Sequence, residues 1–312
     1  MKLNLYIVCV FVLLAGACKK EDKLQPTESS QGYTLPQGNN DFDKTIVQYF
    51  DKYGSYMLYK FSDRDAYWTP SGWKNTRYNE ATKAWTTGFL VKPAEEPYIT
   101  KQLNLIQTCW FGYYSDEFLK TFLPAKVLLC SSVDSSSLKY DFSTTPITIT
   151  QVNKAVGAWF NLDNICVNYG SAAVENMTAL DSGTFIFKVN NMFMRNIFAR
   201  KPIDPPADFV KVTSYASNFA SQPAAYDAGT ITNYYGSGPV QDWEEYILAM
   251  TGYPESVLNT SAPNTTKSFV GILNPTKDRF GKIRQRYNIV RNYFIEKYNI
   301  DLQKIGNASL SR

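Results

Sequence analysis

Phe185, Val189, Met192 or Phe193, and Ile197 recur at three- and four-residue intervals, the period of one helix face. A segment of this kind, running over 182–200 and stopped before Pro202, must bury that face, so the rest of the chain has to supply a layer for it to pack on. Yet the stretch "KVNNMFMRNIFARK" also carries Asn190, Asn191 and Asn196. Asn is a poor helix former, and its amide needs partners when it is buried. What a buried helix does with three such amides is the question the sequence raises.

Around this helix the signals alternate. An Asp-led helix over 41–54 is stopped by Gly54, and "SYMLYKF" follows as a strand. Residues 63–97 read as loop, with Trp68, Trp73 and Trp85 among Pro, Gly and charges. Helices are predicted at "PYITKQLNLIQTCWFGYY" and "DEFLKTFLP", a buried strand at "AKVLLCSSV", and further strands at "PITITQV" and "NICVNYG". "PPADFVKVTSYASNFA" reads as a helix start, with prolines in the permitted first turn. A Tyr/Gly-rich loop over 221–239 precedes a helix over 240–252 with an acidic first half. A loop over 253–266 leads to a long helix over 277–300, with apolar positions at Phe280, Ile283, Tyr287, Val290, Tyr293 or Phe294, and Tyr298. The fold class this predicts is α+β: one domain over 41–312, with a mixed sheet early and helices late.

The N-terminus reads as an address. Lys2 is followed by an apolar run too short for a comfortable membrane span, the pattern of a secretory signal over 1–17. It ends in "LLAGAC", which resembles a bacterial lipobox and makes Cys18 the expected lipid attachment site. A polar segment over 18–40 reads as a flexible tether, and Lys20-Glu21-Asp22 resembles a surface-export signal of lipoproteins. The expected location is therefore the outer membrane, lipid-anchored and facing the cell surface. Cys109, Cys130 and Cys166 remain; three is odd, and buried free thiols are the default reading.

Two bulk facts narrow the chemistry. The formal charge of +4 is spread over many positions, with no long basic block, so nucleic acid is not an expected partner. The chain has no histidine, which removes Ser-His-Asp and Cys-His catalysis and the commonest zinc ligand. Carboxylate chemistry survives that count.

In order and spacing, "FDKYGSYMLYKFSD", "LPAKVLLCSS", "DWEEYILAMTG" and "KIRQRYNIVRNYFIEKYNIDLQKI" resemble the substrate-import-associated zinc metallohydrolase lipoproteins, a zinc-binding metallopeptidase family of glycan-scavenging Gram-negative bacteria. The resemblance implies a zincin-like domain whose central helix carries His-Glu-x-x-His, with two imidazoles on one face and a Glu to activate zinc-bound water. Here that helix is the 182–200 segment. The matching positions are read as Met192 and Asn196 for the histidines and Phe193 for the glutamate, with a further ligand expected at Glu245 among Asp242, Glu244 and Glu245. None of these sets can hold zinc in the family's manner, so catalytic and metal residues and cofactors are expected to be none. Asn196 or Tyr235 is expected to satisfy Glu245.

The function this implies is a non-catalytic accessory that binds a glycan or peptide and partners a TonB-dependent importer and its companion lipoprotein. Met192, Phe193, Asn196 and Glu245 would line its ligand cleft. A carboxylate hydrolase using Glu244 or Glu245 with Asp242 is one alternative. An aromatic-loop adhesin using Trp68 and Trp73 is another.

Overall fold

The computed structural model describes residues 32–69, 74–80, 84–215 and 218–309; the signal segment, Cys18 and Trp73 lie outside the described residues. Leu35–Arg312 forms one compact unit. The stretch Leu35 to Asn40, read as the end of the tether, belongs to it: Leu35 packs on the core, and Gln37 Oε1 accepts from the backbone N–H of Tyr59 at 2.9 Å.

The unit is α+β, as the alternating signals imply. In chain order it runs α1 (Asp41–Tyr53), β1 (Tyr56–Leu58), α2 (Asp63–Tyr67), β2 (Arg77–Asn79), β3 (Ala84–Thr86), β4 (Gly88–Pro93), α3 (Ile99–Cys109) and α4 (Asp116–Phe122). The sheet continues with β5 (Lys126–Asp141), β6 (Thr148–Ala155), β7 (Ala158–Asn161) and β8 (Asn164–Val167). The helical remainder is α5 (Ala179–Arg200), α6 (Ala207–Lys211), α7 (Gln222–Asp227), α8 (Pro239–Gly252), α9 (Glu255–Leu258), α10 (Lys282–Tyr298) and α11 (Leu302–Ala308).

β5 is the spine of a six-stranded mixed sheet. Its first half pairs parallel with β1 and β8, and β7 closes that side antiparallel to β8. Its second half pairs antiparallel with β4 and β6. β2 and β3 form a separate two-stranded pair. The 63–97 region is therefore not a plain loop. β4 was hidden because Gly88 and Pro93 bound a run of only four apolar or charged residues. The C-terminal helix starts later than its pattern suggests. Gly281 sits at φ 71, and Phe280, read as a core position, is 68% exposed before that turn.

α5 packs on β7 and β8 and carries the expected face into the core: Phe185, Val189, Phe193 and Ile197 are fully buried. Phe193 is the hub, meeting Trp110 at 5.3 Å and Tyr114 at 5.1 Å, both edge-on. A capping box fixes the helix start: the Thr178 side chain accepts from the Asp181 N–H, and Asp181 reaches back to the Thr178 N–H.

The asparagines divide by direction. Asn190 is buried: Tyr114 donates its hydroxyl proton to Asn190 Oδ1 at 2.8 Å, and Asn190 Nδ2 donates to the Cys109 carbonyl at 3.1 Å. Asn196 is buried on the sheet side, where its Nδ2 donates to the carbonyls of Asn161 at 2.9 Å and Leu162 at 3.2 Å, in the β7–β8 turn. Both amides are thus structural ties between α5 and the layers it covers. Cys109, Cys130 and Cys166 are free and buried.

Candidate functional site

Once Val189, Phe193 and Ile197 take the core face, helix geometry turns residues two positions on to the opposite side. Asn191 and Arg195, four apart, therefore share the outer face, and they are joined by a hydrogen bond from Arg195 Nε to Asn191 Oδ1 at 2.9 Å. That face meets α8 across a cavity of about 230 Å³, lined by Arg195 and Phe198 from α5 and by Glu244, Glu245 and Leu248 from α8. Thr232, Tyr235 and Lys267 close it from the loops.

Its charges are balanced within the site. Lys267 Nζ lies 2.7 Å from Glu245 Oε1, with both side chains roughly three-quarters buried (28% and 24% exposed). The loop that carries Lys267 is itself held. Lys277 Nζ donates to the carbonyls of Ser268 at 2.9 Å and Val270 at 2.8 Å, while Tyr226 donates to the Thr266 carbonyl at 3.1 Å. Glu244 is less well served: burial pushes its pKa up, the neighbouring Glu245 adds to this, and Arg195 opposes it. The arrangement presents one cation and one strained carboxyl toward the cavity, beside an ion pair.

Asp242, on the same helix, has a different task. It is fully buried, accepts from the Ile231 N–H at 2.9 Å, from Thr230 Oγ1 at 3.0 Å and from the Tyr215 hydroxyl at 2.8 Å, and pairs with the fully buried Arg286. The Arg286 guanidinium stacks 3.6 Å above the Phe209 ring. A carboxylate so completely engaged anchors α8 and is not free to move protons, which removes Asp242 from the carboxylate-hydrolase alternative.

The cleft differs at three points from the one expected from the sequence. Phe193 and Asn196 face the core and the sheet, and Met192 is half-buried against the core, so these are not the cleft residues. Arg195 is the residue that lines the cavity with the α8 acids, and with Asn191 four positions before it the pair lies one position earlier than Met192 and Asn196, which places Met192 at the glutamate of a His-Glu-x-x-His pattern. Glu245 does face the cavity, but its partner is Lys267, not Asn196 or Tyr235. The register was recoverable from the periodicity alone by choosing Phe193 over Met192 for the core. Lys267 was not, because a contact between residues 22 apart, across the rest of α8, α9 and the loop after it, leaves no local signal. Trp68 is 54% exposed at the end of α2 and Trp85 is 47% exposed beside Tyr78 on the β2–β3 pair, away from this cavity.

A zinc ion held through imidazoles finds no donors here. The two outward positions offer a neutral amide and a guanidinium, which cannot ligate a cation, and of the two carboxyl groups at the cavity Glu245 is paired with a lysine, leaving Glu244 alone. Among the described residues no group of three or more His, Cys, Asp or Glu side chains is placed to hold a metal ion.

The Glu244 environment makes a prediction with a definite sign. A carboxyl whose folded pKa is raised contributes its full stability below the unfolded value and loses it as pH rises through the folded value. Glu244→Gln removes that loss. In urea unfolding the variant should gain on the wild type from acidic to neutral pH; an unchanged difference would contradict the assigned environment.

Residues 74–303 match the family described as "Putative zinc-binding metallo-peptidase". Among solved structures the chain is similar to a metallo-peptidase of the same description from Bacteroides caccae, at 15% identity, a TM-score of 0.46, and coverage of 86% of this chain and 89% of that one. No curated protein matches. With the family match extending over most of the chain, from β2 to α11, the protein belongs to this zinc-binding metallo-peptidase family.

Proposed function

We propose that this protein is a non-catalytic member of its family: a lipid-anchored outer-membrane accessory, attached through Cys18, that binds a glycan or peptide fragment and assists a TonB-dependent importer. The observation that carries the reading is the α5–α8 cavity, which Arg195 and the Glu245–Lys267 pair line where a metallopeptidase would need free metal ligands. Such a set suits ligand recognition: guanidinium, carboxyl, hydroxyl and aromatic groups converge on a small concave site. The anchor rests on the lipobox-like "LLAGAC" and the tether after it, and among the described residues no helix is long and apolar enough to cross a membrane.

The test is binding of oligosaccharide and peptide libraries to the purified protein, with Arg195→Ala and Glu245→Gln beside it. Binding that weakens about tenfold in either variant, the loss of one charged hydrogen bond, supports the reading. Peptide hydrolysis that disappears in Glu245→Gln would instead restore a carboxylate-based hydrolase.

A further inference from the structure

The first half of α5 lines a second, larger cavity of about 540 Å³, distinct from the cleft at the helix's other end. It opens on β5 in the gap between two of its four partners: β8 stops opposite Leu129 and β6 begins opposite Asp134. Val156, Tyr169 and Phe187 give it apolar walls, and Lys154 and Lys188 are the charged residues among its described lining, with no acid.

Lys188 is half-buried there. Burial pushes its amine below the ordinary lysine value, and the charge acting on it is another cation, Arg195, which pushes the same way. A cation taken out of water without a carboxylate beside it is costly, and an anion arriving in the cavity would relieve that cost. The wall opposite is built rather than loose. Tyr169 sits at φ 75, a conformation uncommon for a side chain of its size. Its N–H donates to Asn168 Oδ1 at 2.7 Å, Asn168 Nδ2 donates to the Val156 carbonyl at 2.9 Å, and its ring meets Phe185 edge-on at 5.5 Å. Gly157 brings the backbone against α5: a Cβ there would lie 3.1 Å from Phe185 Cδ2 and 3.5 Å from Lys188 Cβ.

We propose that this cavity is a binding site for a small carboxylate ligand with a ring-sized apolar body, its carboxylate paired to Lys188 Nζ and its ring set against Tyr169 and Phe187. The volume lies in the range of about 300–1,000 Å³ that small-ligand sites occupy. An acidic sugar and the C-terminal carboxylate of an aromatic peptide share this chemistry. The site lies apart from the α5–α8 cleft, whose Arg195 adds to the positive field at Lys188.

Calorimetric titration tests it with matched pairs: nitrophenyl glucuronide against nitrophenyl glucoside, and N-benzoylglycine against its amide. At least one acid should bind, with its neutral counterpart about tenfold weaker or worse. Lys188→Met should abolish that preference, Lys188→Arg should keep most of it, and Glu245→Gln should leave it unchanged. Binding by the glucuronide alone names an acidic sugar, and binding by benzoylglycine alone names a peptide carboxylate. If Lys188→Met does not fold, the exposed Lys154→Gln serves, with a smaller loss expected. Failure of both acids to bind, equal binding of acid and neutral forms, or an unaltered preference in both lysine variants would overturn the proposal.

Discussion

Arg286→Ala is expected to destabilise the protein by about 3–5 kcal/mol, a loss measurable as a shift of the urea-unfolding midpoint. The guanidinium and the Asp242 carboxylate are both wholly excluded from water. Removing one leaves the other as an unpaired buried charge, while Thr213 Oγ1 and the Gly229 carbonyl lose a donor. Asp242→Asn should act in the same direction. The double replacement Arg286→Met with Asp242→Leu should recover much of the loss, because it removes both charges and fills the space with apolar groups. The pair matters to the cleft as well as to stability. Asp242 lies one helical turn before Glu245, so it fixes the part of α8 that presents Glu244 and Glu245. A single-variant cost below about 1 kcal/mol would place the pair in contact with water.

Phe193→Ala is expected to cost a similar amount, about 3–5 kcal/mol, as a large ring is removed from a packed core. Trp110, Tyr114 and Phe118 all meet that ring edge-on and would face the resulting void. Arg195→Ala, two positions along the same helix, should stay within about 0.5 kcal/mol of the wild type, since Arg195 is exposed and its bond is to its own helix. The contrast checks which residues of α5 face the core. Equal effects at the two positions would contradict the helix orientation on which the cleft assignment depends.

Much of this was legible in the sequence, for reasons that separate into two kinds. α5, α8 and the β5 start carry strong periodic or continuous apolar patterns with punctuating caps, so local rules found them. The second half of β5 was missed because its largely exposed polar residues show no burial pattern, and β7 because a buried run of four residues is too short to carry a period. Within the site, the acidic start of α8 is visible in the sequence, while the Lys267 partner of Glu245 and the Asp242–Arg286 pair depend on contacts far apart in the chain. The single-residue error at Met192 and Phe193 shows how little separates a core residue from a cleft residue: one step along a helix turns a side chain by about 100°.

The central claim is that this family member's cleft does not hold zinc. Metal analysis by inductively coupled plasma mass spectrometry, after incubation with excess zinc and dialysis into metal-free buffer, tests it most directly. The account predicts zinc far below one ion per chain. One tightly held zinc per chain, lost in Glu245→Gln, would contradict it.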